Sequence, residues 1–362
     1  MRIAYVARYY FGSPSGVLDK IVGQVAQWRA HGHCVKLFGL TGDGSTAIPS
    51  TLPNRCASTR GYLARFGTMP SLFGDVVTWR PDLVYLRYFT YQPGLRRVFT
   101  GAPVIVEVNA NDTVEMALVS WKSHVLNLAT RSRVLRQTSG FVFVTNELAC
   151  SPSFASFAKS RAVVGNGISL ADIPLRTKAP DNGRPRLFFM GLGASPWHGL
   201  DKILQMAALR PGWRFDIVGE AGVSGQRLPP NVTCHGRMTA REYSPLLAAA
   251  DVAIATLAAH RTRLSEASPL KTREYLAAGV PTVLAYRDTD FLRGAPFLLQ
   301  LPNVEDNIRP HIRRIDEFVQ RMRGVIVPRS SVAHLDWSVK EPIRLDFFRD
   351  AVEAARLSGA PC

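Results

Sequence analysis

EASPLKTREYLAAGVP, residues 266–281, reads as a short helix with its charges in unexpected places. Ser268 has the side chain of a helix N-cap, and Pro269 suits a first helical position, where a missing N–H is no loss. Gly279 suits the left-handed residue that ends a helix, and Pro281 cannot continue one. The spacing predicts a helix over 269–278, about three turns long. Its first turn presents unpaired backbone N–H groups, those of Leu270 and Lys271 included, at the positive end of the helix dipole. Such an end binds anions. Lys271 stands where the dipole disfavours a cation, and an anionic ligand would offset the misfit. Glu274 lies one turn on, where its carboxylate could accept two hydroxyl hydrogen bonds of a ribose. Glu266, before the helix, suits the hydroxyls of a second sugar ring. The set matches a nucleotide diphosphate sugar. The plainer alternative is a surface helix with a Lys271–Glu274 ion pair.

The surrounding sequence predicts the fold. RIAYVAR, CVKLFGL, PDLVYLRY, APVIVEVN and GFVFVTNEL are apolar runs separated by helical segments. This alternation predicts a parallel sheet covered on both faces. GNGISLADIPLRTKAPDNGRP interrupts it as a linker rich in Gly, Pro and Asn. RLFFMG, WRFDIVG, NVTCHG, DVAIAT and PTVLAY then restart it. The expectation is an α/β protein with two doubly wound Rossmann-like domains facing across a cleft, residues 1–168 and 169–339. An amphipathic C-terminal helix at about 340–358 is expected to pack back on the first. Ligands of such sheets bind at the carboxyl ends of the strands.

At 362 residues the chain has the length of two domains. No secretory signal pattern opens it and no run of about 18 apolar residues occurs, so no transmembrane helix is expected; the expected location is cytoplasmic, with a peripheral place at the inner face of the membrane left open. The five cysteines are scattered and form no CxxC pair, which argues against a disulfide framework or a zinc site. The formal charge is +16, and residues 1–180 hold 20 Lys and Arg against 9 Asp and Glu. Nucleic acid, an anionic membrane surface, or an arginine-rich background composition would each fit that charge. No nucleic-acid motif is present, so no nucleic-acid partner is expected.

The segment Glu266–Glu274 resembles the Glu-x7-Glu motif of retaining glycosyltransferases of the GT-B fold, family 4, in its SPLK…EY form. VVGNGISL, FMGLGASPWHGLDKIL, FDIVG, VTCHGRM and ADVAIAT resemble family segments in the family's order. The resemblance implies that the second domain binds the sugar nucleotide and the first the acceptor, a glycan, lipid-linked or other hydroxyl. Glu274 would hold the ribose, Glu266 the transferred sugar, and Lys271 with Ser268, Pro269 and Leu270 the diphosphate. Backbone at Gly219 and at Gly236, Arg237 and Met238 would frame the base. The loop G12-S-P-S-G16, ending in Gly16, takes the place of a glycine-rich loop that approaches the donor. The resemblance also implies retention at the anomeric carbon, with no metal and no cofactor beyond the donor. The family's usual phosphate-binding Arg and Lys fall here at Leu192–Gly193 and His198. His198 either donates to phosphate or packs on Trp197, and Arg261 or Arg263 could supply the missing charge.

In the first half, Asn109, Asp112 and Glu115 follow a strand and are placed to line an acceptor site; Asn111 or Asp112 could more simply N-cap the next helix, the reading preferred for Asp112. WKSHVLNLATRSRVLRQ reads as a basic amphipathic helix able to touch anionic lipid, or simply solvated. A nucleotide-sugar epimerase or hydrolase of the same fold, and a binding module without turnover, are the competing classes. A nicotinamide dehydrogenase is disfavoured because no G-x-G-x-x-G follows either first strand.

Overall fold

The computed structural model describes residues 1–9, 16–41, 54–59, 64–178, 180–191, 195–219 and 228–357. Gly12–Ser15 and Leu192–Gly193, which the resemblance singles out, lie outside them. The chain divides into two units, Met1–Gly165 with Trp337–Cys362, and Asn166–Asp336.

The first unit runs β1 (Arg2–Tyr9), α1 (Gly16–Ala30), β2 (Cys34–Thr41), β3 (Asn54–Ser58), α2 (Ala64–Thr78), β4 (Leu83–Arg87), β5 (Val104–Val108), α3 (Asp112–Val119), α4 (Trp121–Leu135), β6 (Gly140–Phe143), α5 (Asn146–Cys150), α6 (Pro152–Ala155) and β7 (Ser160–Val163). The second runs β8 (Arg186–Met190), α7 (Leu200–Leu209), β9 (Arg214–Val218), β10 (Val232–Cys234), α8 (Ala240–Ala248), β11 (Val252–Ile254), β12 (Glu266–Ala267), α9 (Leu270–Ala277), β13 (Thr282–Leu284), β14 (Arg287–Asp288), β15 (Leu298–Gln300) and α10 (Ile312–Met322). The final helix, α11 (Trp337–Leu357), belongs to the first unit.

The first sheet has the order β3-β2-β1-β4-β5-β6-β7 and every pairing is parallel. Its central strands are buried on both faces because helices cover both, which is why they read as unbroken apolar runs. Trp28 of α1, Tyr5, Tyr85 and Phe348 of α11 pack ring against ring on one face. Beside them lies a buried polar cluster. Glu107 of β5 pairs with Lys20 at 2.7 Å, and Arg344 and Arg87 stand 3.8 and 3.9 Å away. Arg344 also pairs with Glu341, which accepts from Trp28 Nε1 at 2.6 Å. Burial opposes the charge on Glu107, but Lys20, Arg344 and Arg87 together hold its carboxyl below the usual range. The cluster fastens α11 to α1 and β5.

The second sheet has the order β10-β9-β8-β11-β13-β15, again all parallel. Along β8, Leu187 and Phe189 face a core built with α7 and α10, whereas Phe188 and Met190 face one built with α8 and α9. Chain order reverses at β8, whose neighbours are β9 and β11. The carboxyl end of β8 is therefore the topological switch point, where such sheets bind ligands.

The predicted helix over 269–278 spans Leu270–Ala277, and Pro269, not Ser268, holds the N-cap position. Asn166 explains the difference. Its backbone N–H donates to the Ser268 hydroxyl at 2.8 Å and its side-chain amide to the Ser268 carbonyl at 2.5 Å. Ser268 is thus engaged outside the helix, and Pro269 at the N-cap has no side-chain acceptor to offer the first turn. Gly279 ends the helix at φ 86° as expected. Its N–H donates to the Leu276 carbonyl and that of Val280 to Tyr275, the paired bonds of a Schellman turn. Asp112 does not act as an N-cap; Asn111 holds that position. Asp112 instead accepts from Asn127 at 2.6 Å and pairs with Arg131 at 2.8 Å, tying α3 to α4.

Candidate functional site

The site is built on the carboxyl end of β8, from which the backbone of Gly191 emerges. The Gly191 N–H donates to Val218 and the Gly219 N–H to Gly236 at 2.7 Å, so the ends of β8, β9 and β10 are laced together. Gly219 has φ 114°, and a Cβ there would lie 2.0 Å from the Gly191 carbonyl oxygen. Gly219→Ala should therefore cost about 3 kcal/mol or more, from left-handed strain plus backbone displacement. Urea unfolding measures this, and an unchanged midpoint would contradict the close approach. Gly236, at φ 71°, has open space around its Cα, Arg237 is exposed, and Met238 packs against the core beneath.

His198 stands beside Gly191; a Cβ on Gly191 would meet its Nδ1 at 2.9 Å. Its ring lies edge-on to Phe189 and to Trp197, with centroids 6.4 and 5.9 Å away. Helix α9 also begins beside Phe189. Lys271, in its first turn, places Nζ 4.9 Å from the Phe189 ring centre. The lysine stem is partly exposed, but the ammonium is buried and has no hydrogen-bond partner. The alternative surface ion pair with Glu274 is not formed. Burial pushes the ammonium down to about 7. A buried donor of this kind is uncommon, because desolvation without a partner is costly.

The other charges of the opening stretch have different employment. Glu274 Oε1 accepts from the Tyr243 hydroxyl at 2.6 Å. Arg273 is fully buried, pairs with Asp288 and Asp290, and donates to the Asn166 carbonyl at 3.2 Å. It fastens the helix to the segments on either side and takes no part in an anion site. Tyr275 accepts the Met190 N–H at 2.9 Å and so joins α9 directly to the end of β8. Glu266 is buried on β12 and pairs with Arg287 of β14 at 2.8 Å. Arg261 pairs with Asp201 at 2.7 Å and with Glu305, while Arg263 is exposed at φ 56°.

The structure thus gathers Lys271, His198, Gly219 and Gly236 around Phe189 and Gly191, with Leu270, Pro269 and Ser268 leading into the same helix. Asn109 and Gly16 belong to the first unit. Asn109 accepts from Lys20 at 2.9 Å and donates to Glu107 at 3.1 Å, and Gly16 opens α1, the helix that carries Lys20. Sequence reasoning missed Phe189, Tyr243 and Tyr275, which position the site, and Lys20, which holds Asn109. Glu115 has a further property invisible in sequence: burial raises its carboxyl to about 7, partly opposed by Arg87. Among the described residues no group of three or more His, Cys, Asp or Glu side chains is placed to hold a metal ion.

Two all-parallel doubly wound sheets, with the last helix returned to the first unit, define the GT-B glycosyltransferase fold, with two Rossmann-like domains. The structural neighbours are such enzymes. The sucrose-phosphate synthase of Thermosynechococcus elongatus superposes with a TM-score of 0.71 at 14% identity, over 98% of this chain and 99% of that one. A glycosyltransferase of Rickettsia africae gives 0.67 at 11% identity, over 97% and 98%. Anabaena Alr3699/HepE, solved with UDP and glucose, gives 0.64 at 17% identity, over 97% and 100%. Identities this low speak for the fold alone. No family model matches the chain, and no curated protein sequence does.

Proposed function

We propose that the chain is a retaining glycosyltransferase resembling family 4, which moves a hexosyl group from a nucleotide diphosphate sugar to a glycan, lipid-linked or other hydroxyl acceptor. Bacterial surface polysaccharide or glycoconjugate synthesis is the setting this chemistry suits. One observation carries the reading: the buried ammonium of Lys271, without a hydrogen-bond partner, in the first turn of α9, whose N-cap is a proline. A cation without a counter-charge, beside N–H groups at a positive dipole end, is an arrangement that a diphosphate completes. Binding of UDP and glucose by the HepE neighbour is consistent with such a ligand.

In this reading Glu274, presented by Tyr243, takes the ribose hydroxyls, and Glu266 the transferred sugar. His198 offers a ring nitrogen to phosphate. Backbone at Gly219, Gly236, Arg237 and Met238 frames the base, and Gly16 and Asn109 keep the donor and acceptor roles that the family resemblance implies. The acceptor oxygen bonds to the anomeric carbon on the face that the diphosphate leaves, and the departing phosphate oxygen takes the acceptor's proton. Lys271 and the α9 N–H groups stabilise the charge that develops there, so the step calls for neither a protein base nor a metal.

A thermal-shift panel of uridine, guanosine and adenosine diphosphate sugars tests the reading. Stabilisation by one of them, lost in Glu274→Ala, is the expected result; no response to any would contradict it. Donor turnover with and without an acceptor then separates transfer from epimer release and from binding without chemistry.

A further inference from the structure

The outer face of α4 carries an apolar stripe where solvent would ordinarily demand polarity. Val119 is 63% exposed, Trp121 70%, Val125 55% and Leu128 55%. Trp121, Val125 and Leu128 follow the i, i+4, i+7 spacing of one helix face, and Val119 extends the patch from the end of α3. The inward side explains why the helix sits this way round. Asn127 and Arg131 are buried against Asp112, Tyr88 donates to Asn127 at 2.7 Å, and Arg131 stacks over Phe154 at 4.4 Å. The inward face is thus fixed by polar bonds, and the apolar stripe is left outside.

Beside that stripe stand Lys122, Arg133 and Arg136, all exposed, and Lys122 lies 5.8 Å over the Trp121 ring. The helix contains no acidic residue. The nearest acidic groups on α3 are turned inward: Asp112 is spent on Arg131, and Glu115 is mostly buried. A tryptophan and aliphatic stripe edged with cations is the pattern of a helix lying in a lipid interface.

We infer that the outer face of α3 and α4 docks on an anionic membrane surface, with Trp121, Val125 and Leu128 entering the headgroup boundary and Lys122, Arg133 and Arg136 facing lipid phosphates. Charge decides between occupants. A second copy of this chain, which carries a formal +16, would set these cations against like charge, whereas acidic lipid complements them. The inference stands independently of the donor site, since none of its residues is among those named for it.

The test is co-sedimentation of the full chain with vesicles of phosphatidylcholine and phosphatidylglycerol, against vesicles of phosphatidylcholine alone. Binding is expected to favour the anionic vesicles by about tenfold or more. The combined variant Trp121→Ser, Val125→Ser, Leu128→Ser should lose that binding. Lys122→Gln, Arg133→Gln and Arg136→Gln should weaken it about fivefold per cation removed. All these positions are exposed, so circular dichroism should confirm an unchanged fold. Equal binding to both vesicle types, or undiminished binding by the apolar variant, would overturn the inference. So would a dimer in light scattering that the apolar variant dissolves while vesicles capture nothing.

Discussion

Replacing Lys271 with methionine is expected to make the free protein more stable and to remove its hold on nucleotide diphosphates. Both halves follow from one observation: the ammonium is buried, unpartnered, and pushed down to about 7 by burial. Methionine keeps the apolar stem over Phe189 and removes the desolvated charge. A gain of about 1–4 kcal/mol at neutral pH is expected, by analogy with the replacement of other buried charges by apolar residues. Between about 7 and the ordinary lysine value the unfolded chain keeps a proton that the folded chain has released. The stability of the parent protein should therefore rise with pH across that window, and the variant should lack the rise. Affinity for the donor should meanwhile fall about 100-fold, because a charge-assisted contact to phosphate is lost in a desolvated site. A stabilised protein that no longer binds is the signature of a residue kept for function.

Glu107→Gln is the second large effect, and it falls on stability. The substitution is nearly isosteric but leaves Lys20, Arg344 and Arg87 without their shared counter-charge. Breaking a buried ion cluster from one side costs about 3–5 kcal/mol. In a unit of this size that is a fall of about 10 °C in melting temperature. Hydrogen exchange should show α11 opening first, since Arg344 and Glu341 are its anchors. A loss below about 1 kcal/mol would mean that aromatic packing alone holds the helix.

The sequence made the strands legible where burial on both faces left an unbroken apolar run, as in RIAYVARY of β1 and VIVEV of β5. It hid β3, whose NRCAS lies half-exposed at a sheet edge, and α2, which carries Pro70 inside. It placed the stop of α9 correctly because Gly279 needs only its own backbone conformation. It misplaced the cap because Asn166, 102 residues away, claims Ser268. The charges of the opening stretch show the same division. Their positions at the start of the helix were readable, but their partners were not. Arg273 meets Asp288 and Asp290 beyond the next strand, Glu266 meets Arg287, and Glu274 meets Tyr243. Only Lys271 is left with its ammonium buried and without a hydrogen bond among these four, a fact of packing that no local pattern encodes.

The most direct test of this account is calorimetric titration of the protein with its nucleotide sugar near pH 8, in two buffers of different ionisation enthalpy. A diphosphate sugar has no phosphate group that titrates near that pH, so proton exchange reports on the protein. If Lys271 meets the diphosphate, its ammonium regains a counter-charge and binding should draw in on the order of one proton. The uptake should vanish in Lys271→Met. Binding with no proton uptake, or with the same uptake in the variant, would contradict the claim that this lysine grips the donor.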